Sequence, residues 1–242
     1  MISLIPKKIN DIKAFAVDID GTLTENGNGL VHLPAVSKLR FLERTGYRVV
    51  FVTGRSALEA YVLSVFCGTT NIAVGENGGV VITQPNRLTI LADREKCIRG
   101  YNFLQERISD VKVKPVFPRV SEVVLTRTFD MQIGKSILEE SGLGLYLSDS
   151  KYAYHINQIG VDKSTGLRHA LDILNIDARE VVAIGDSETD IPMFDLCGFS
   201  IALAHAETDV KNRANHVVDG TSGKGLSEAI DYISFNYLRD KK

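Results

Sequence analysis

Asp18 and Asp20 stand two apart at the end of an apolar run, Ala14 to Ile19. On extended backbone, side chains at that spacing leave on the same side. Two carboxylates held toward one point repel, and a proton or a cation relieves the repulsion. Two more aspartates, Asp186 and Asp190, follow a second apolar run, Val181 to Ile184. Four such carboxylates call for a divalent cation with hard oxygen ligands, and Mg²⁺ is the first choice because it keeps waters and accepts a substrate phosphate as a ligand. Thr53 and Gly54 end a third apolar run, Arg48 to Val52, and Lys163 opens a helical segment. Hydroxyl, amide and ammonium donors beside a metal make a setting for a phosphoryl dianion. The chemistry these residue types describe is phosphoryl transfer.

Such groups lie far apart in the chain, so a frame must bring them together. Ala14 to Ile19, Arg48 to Val52, Ile72 to Val74 and Val181 to Ile184 are short continuous apolar runs, the pattern of strands buried on both faces. Helical spacing over Pro34 to Thr45, from Ser56 to about Phe66, from Ser164 to about Leu174 and over Ile191 to Leu196 supplies the crossovers. Ser200 to Leu203 and His216 to Val218 read as further strands, Gly225 to about Phe235 as a closing helix, and Asp240-Lys241-Lys242 as a frayed tail. The fold expected is α/β, a doubly wound parallel sheet, in which ligands collect at the carboxyl ends of strands and at helix N-termini.

From Gln84-Pro85-Asn86 onward the pattern changes. A strand over Leu88 to Leu91, a helix from about Asp93 to Ile108, strands over Val113 to Phe117 and Glu122 to Thr126, a helix from about Asp130 to Glu140, and strands over Leu145 to Leu147 and Ala153 to Ile156 follow in turn. Strands without intervening crossovers pair antiparallel, as in a small α+β module. The chain therefore divides into a core of residues 1–83 and 158–242 and an inserted module of residues 84–157.

Composition removes several alternatives. Among 242 residues, 28 Lys and Arg stand against 30 Asp and Glu, a formal charge of −2. That balance gives no footprint for a nucleic-acid backbone or an anionic bilayer. The expected partner is a small phosphorylated metabolite, with no nucleic acid and no membrane, bound by a monomer or homodimer. Met1 to Lys13 lacks a leader or spanning pattern, so a cytoplasmic location is expected. Cys67, Cys97 and Cys197 form no Cys-x-x-Cys pair and read as buried thiols. The five histidines show no metal-ligand spacing. Gly185-Asp186-Ser187 lacks the Asp-x-x-His partner of a serine esterase, and Gly142-x-Gly144 and Gly220 to Gly225 lack the spacing of nucleotide-binding loops. Asp190 and Thr53 each have a plainer reading as caps of the helices that follow them.

Asp18-Ile19-Asp20-Gly21-Thr22-Leu23-Thr24, Thr53-Gly54-Arg55, Lys163 and Gly185-Asp186-Ser187-Glu188-Thr189-Asp190 together resemble the haloacid dehalogenase superfamily of phosphatases, in its order and over nearly the whole core. Gly75-Glu76-Asn77-Gly78-Gly79 before the insertion, and Val210-Lys211 with Ala214, resemble the subgroup whose cap follows the third strand. That subgroup includes Cof-type sugar phosphatases, sucrose-phosphate phosphatases and archaeal phosphoglycolate phosphatases, and the compact cap looks most like the last. The resemblance implies that Asp18 is the nucleophile forming an aspartyl-phosphate and Asp20 the general acid and then base. Thr53, the Gly54 amide and Lys163 would hold phosphoryl oxygens. Asp18, the Asp20 backbone carbonyl, Asp186 and Asp190 would serve Mg²⁺, and 2-phosphoglycolate would be the substrate. Thr189, Ser164 and Ala204-His205-Ala206 depart from the family pattern without removing a catalytic group. In the module, Arg119, Arg127 and Tyr154 are candidates for reading the substrate beyond its phosphate, an arginine suiting a carboxylate. A sugar-phosphate phosphatase or phosphomutase of the same superfamily, and a noncatalytic phosphoacceptor, are the rival readings.

Overall fold

The apolar runs become strands of one sheet. The computed structural model describes residues 11–25, 29–150 and 152–238; the Asp240-Lys242 tail and the residues before 11 lie outside them. β1 (Ala14–Val17) is wholly buried and is followed by a hairpin of β2 (Thr24–Glu25) and β3 (Leu30–Val31). Then come α1 (Leu33–Arg44), β4 (Arg48–Val52), α2 (Ala57–Cys67) and β5 (Ala73–Gly75). Pro34 sits in the first turn of α1, where its missing N–H costs nothing. Ser56 caps α2 reciprocally with Glu59.

β6 (Val80–Gln84) and β7 (Arg87–Ile90) turn back on β5 as antiparallel strands. The strand expected within the inserted module, Leu88 to Leu91, thus joins the main sheet as its last strand. The physical reason is local: Pro85 and Asn86 make a hairpin turn rather than a boundary, and β6 offers β7 an open ladder.

The inserted chain then forms α3 (Arg94–Gln105), β8 (Val123–Leu125), α4 (Met131–Glu140), β9 (Leu145–Asp149) and β10 (Tyr154–Gln158). Asp93 and Asp130 cap the two helices with side-chain hydrogen bonds. The strands make an antiparallel sheet in the order β8-β10-β9. No strand forms over Val113 to Phe117. Val113 contributes one isolated bridge to Leu125, and both Val113 and Phe117 are exposed.

The α/β pattern resumes with α5 (Lys163–Leu174), β11 (Val181–Gly185), α6 (Ile191–Leu196), β12 (Phe199–Ala202), α7 (Thr208–Arg213), β13 (His216–Val217) and α8 (Ser222–Asn236). The main sheet runs β13-β12-β11-β1-β4-β5-β6-β7, parallel from β13 to β5. Alternate residues of each central strand feed two apolar layers. Phe15, Val17, Val49 and Phe51 pack toward α1 and α8, and Ala14, Ala16, Val50 and Val52 pack toward α5 and α6. The module has its own core, in which Cys97, Leu104, Leu125, Leu138, Leu147 and Ile156 meet. Cys67, Cys97 and Cys197 are buried. Among the described residues, no helix is long and apolar enough to cross a membrane.

Candidate active site

β1 lies between β11 and β4 in the sheet, so the carboxyl ends of these strands are neighbours. Asp18 follows β1 directly, and its amide donates to Ile184 O at 3.0 Å, extending the β11 ladder. The chain then turns sharply: the amides of Thr22, Leu23 and Thr24 all donate to Ile19 O. Gly21 makes the turn possible, because its φ of +85° suits glycine and a Cβ there would stand 2.5 Å from Asp186 Oδ2. The turn thus fits closely against the loop after β11, and Thr22 Oγ1 donates to Asp186 Oδ1 at 2.7 Å.

The acidic group is real in space. Single carboxylate oxygens of Asp18, Asp186 and Asp190 lie within 4.8 Å of one another. Lys163, at the N-terminus of α5 and almost wholly buried, reaches into the group, donating to Asp18 Oδ1 at 2.6 Å and to Asp190 Oδ1 at 2.5 Å. Burial works against the Lys163 ammonium, but the charges of Asp18 and Asp190 override it and hold its pKa above the ordinary lysine value. Burial pushes the Asp18 carboxyl well above the carboxylate range; Lys163 opposes the rise, and Asp190 and Asp186 add to it. Three carboxylates against one ammonium leave this buried cluster short of positive charge, and a divalent cation supplies the amount missing.

Asp190 makes no side-chain cap for α6. Its Oδ2 accepts instead from the amides of Asp186 and Ser187, each at 2.9 Å, and so closes the loop before the helix, while Oδ1 faces Lys163. Thr53 does not cap α2, since Ser56 holds that position. The Thr53 hydroxyl accepts from the Arg55 amide at 3.1 Å, and its carbonyl accepts from the Asn77 amide at 3.1 Å. Glu76 and Asn77 both adopt positive φ, +54° and +52°, a strained pair beneath this loop.

Asp20 stands apart from the acidic group. Arg55 grips its carboxylate at both oxygens, Nε to Oδ2 and Nη2 to Oδ1, each at 2.7 Å, and Arg55 Nη1 in turn donates to Glu59 at 3.1 Å. A metal contact by Asp20 would therefore use its backbone carbonyl. Arg55 stands in the sequence within Thr53-Gly54-Arg55 with nothing to indicate its partner, and His205 carries no metal-ligand spacing. His205 Nε2 lies 3.1 Å from Asp186 Oδ2; its signal was the departure at Ala204-His205-Ala206.

A cleft of about 610 Å³ runs between the main sheet and the inserted module. Asn77, Lys163 and Thr189 lie on one wall, and Met131, Lys135 and Tyr146 on the other. None of the three module candidates lines it. Arg119 Nη1 donates to Gly54 O at 3.0 Å, Arg127 Nη2 to Asp149 Oδ2 at 2.8 Å, and the Tyr154 hydroxyl to Phe129 O at 3.2 Å.

Comparison with known proteins gives a consistent picture. The model of the haloacid dehalogenase-like hydrolase family matches residues 15–116 and 119–230. A Nitrosopumilus maritimus protein named phosphoglycolate phosphatase is 47% identical over 222 residues, covering 92% of this chain and 96% of that one. A Methanosarcina acetivorans protein of the same name is 36% identical over 225 residues, covering 93% and 97%. A crystal structure of a Thermoplasma acidophilum protein superposes with a TM-score of 0.84 at 23% identity, covering 93% of this chain and 99% of that one.

Proposed function

The chain belongs to the haloacid dehalogenase-like hydrolases, and from that premise we propose that it hydrolyses 2-phosphoglycolate to glycolate and phosphate by way of a phosphorylated Asp18. The observation that carries the reading is the buried meeting of Asp18, Asp186 and Asp190 around Lys163 at the strand ends. The names of the archaeal relatives favour this ester over others.

In the first half-reaction an Asp18 oxygen attacks phosphorus as the ester P–O bond breaks, and Asp20, protonated once it has left the Arg55 fork, gives its proton to the departing alkoxide. In the second, Asp20 takes a proton from water, the water oxygen attacks phosphorus, and the Asp18–phosphorus bond breaks. Lys163, Thr53 and the Gly54 amide offset charge on the phosphoryl oxygens. Asp18, Asp186, Asp190 and the Asp20 carbonyl are the groups that would hold Mg²⁺, which when bound neutralises charge on the phosphoryl group and keeps Asp18 ionised. The close fit of Gly21 against Asp186 and the excess of carboxylates support that choice.

The inserted module, expected over residues 84–157, acts as a cap that meets the leaving group and excludes bulk water. We propose that it acts in the cytoplasm, as a monomer or homodimer. Phosphate release measured across a panel of esters with added Mg²⁺ tests the reading: 2-phosphoglycolate leads, and Asp18→Asn abolishes turnover while the circular dichroism spectrum is retained. Turnover by folded Asp18→Asn sinks the covalent step. Transfer of phosphate to a second position of the substrate, rather than its release, would point to a mutase.

A further inference from the structure

The proposal concerns how the leaving group is told apart from others, and it rests on the reaction just given. We infer that Lys135, on the α4 face of the cleft, is the residue that binds the carboxylate of the leaving group and so sets the preference for an acidic ester.

Met131, Lys135 and Leu138 stand at i, i+4 and i+7, so one face of α4 lies along the cleft, across from Lys163 and Thr189. The Asp130 cap starts the helix one turn before Lys135, accepting from the amides of Gln132 and Ile133 at 2.8 and 3.0 Å. Gly134 lets the helix pack tightly: a Cβ there would meet Phe129 at 2.6 Å and Leu147 at 3.0 Å. Lys135 is therefore carried on a well-anchored element rather than on a loop.

The charges that line the cleft decide the argument. Lys163 is committed to Asp18 and Asp190. Asp162 is committed to the first turn of α5, accepting from Ser164 N at 2.8 Å and Thr165 N at 3.1 Å. Asp149 is paired with Arg127. Glu139 and Glu188 complete the set, and both would repel an incoming anion. Among the described residues lining the cleft, Lys135 is the cation with no hydrogen bond or ion pair of its own. A substrate that carries a second negative charge past its phosphate meets in this lining one cation not already committed, Lys135.

The arginines considered from sequence do not line the cleft: Arg119 Nη1 donates to the Gly54 carbonyl while its buried Nε is unpartnered, and Arg127 holds Asp149. The cleft of about 610 Å³ is several times larger than a small two-carbon ester, so Lys135 reaches the carboxylate as the module settles over the bound substrate. A neutral leaving group meets two glutamates and gains nothing from the lysine. The expected discrimination is a difference of affinities with an attractive and a repulsive part.

The test uses matched esters. kcat and KM are measured for 2-phosphoglycolate against ethylene glycol monophosphate, in which the carboxylate is replaced by a hydroxymethyl group, and for 3-phosphoglycerate against glycerol 1-phosphate. Lys135→Gln is expected to raise KM and lower kcat/KM for the carboxylated ester of each pair by about fivefold, the upper scale of one solvent-screened ion pair, with the neutral ester unchanged. Lys135→Glu should widen the loss, and Lys135→Arg should restore most of the preference. Equal losses on both members of a pair, or no loss on either, overturn the role of Lys135. A wild type that ignores 2-phosphoglycolate but hydrolyses 3-phosphoglycerate in a Lys135-dependent way overturns the substrate assignment and leaves the lysine's role standing. A wild type that prefers the neutral esters overturns both.

Discussion

Lys163 shows how a single side chain ties stability to chemistry. Its ammonium satisfies two buried carboxylates at once, and among the described residues neither is paired with another cation. Replacing it by methionine keeps the length of the side chain and leaves two buried charges uncompensated, a loss of about 3–5 kcal/mol for a broken buried pair. Lys163→Met is expected to unfold at markedly lower urea concentration than wild type and to lose phosphate release; equal urea midpoints would show that the cluster is not buried as described. Glu76 makes the opposite electrostatic case. Burial raises its pKa above the ordinary value of 4.5, the Glu122 charge raises it further, and hydrogen bonds from Ser121 and Val120 oppose the rise. A carboxyl with a raised folded-state pKa stabilises the fold below its unfolded pKa, and that contribution is lost as pH rises through the folded value. Glu76→Gln is therefore expected to melt higher than wild type at pH 8, with the gap closing toward pH 4; a gap that widens on acidification refutes the sign. Asp18 and Asp186 were noticed because each follows an apolar run, and Lys163 because it opens a helical segment. Arg55 on Asp20 and Lys135 in the cleft were not, since a fork across 35 residues of sequence and the facing of one helix depend on packing rather than on local pattern.

The elements read most clearly were those whose burial leaves one interpretation. β4 and α6 match their expected ranges, Arg48 to Val52 and Ile191 to Leu196, because continuous apolar runs and helical spacing bounded by Gly and Pro are strong signals. α7 escaped notice because its six residues bury only Val210. The β2–β3 hairpin escaped because two-residue strands carry no period. Val113 to Phe117 shows the converse error: β-prone residues without a ladder remain irregular chain. The turn after β5 meets the start of α5 at very close range. Gly78 has φ +95°, and a Cβ there would lie 1.7 Å from Asp162 O. Both the turn and the helix would have to move, and Asp162 holds the first turn that presents Lys163. Gly78→Ala is expected to cost about 3 kcal/mol or more, through strain and overpacking together. A chemical denaturation curve checks this, and a loss below about 1 kcal/mol would mean that the turn does not rest on α5.

The molecule as a whole has two apolar centres, one divided between the faces of the main sheet and one inside the module. They are joined by a polar seam in which Glu76 accepts from Val120 N, Ser121 N and Ser121 Oγ, and Asn77 donates to Glu122. The existence of a second core was legible from strands that follow one another without crossovers. Its edge was not, because β7 satisfies the same local pattern whether it pairs with β6 or with the module. This division gives metal binding a distinct physical signature. Asp18 and Asp186 follow β1 and β11 directly and Asp190 ends the turn before α6, all in the main-sheet core, so a cation bound there stabilises that core and does not hold the module's own core together. At a Mg²⁺ concentration about 100 times the dissociation constant, the folded state gains about 2.7 kcal/mol, which for a chain of this size corresponds to a rise in melting temperature of about 5–10 °C. Hydrogen exchange should slow in β1 and β11 on adding Mg²⁺ and remain unchanged in β8, β9 and β10. Chelator should reverse both effects, and Asp186→Asn, which keeps the side-chain volume but removes a charge, should lose most of the thermal shift without activity being measured at all. Protection that appears equally in the module, or a thermal shift that survives in Asp186→Asn, would mean that the cation binds elsewhere.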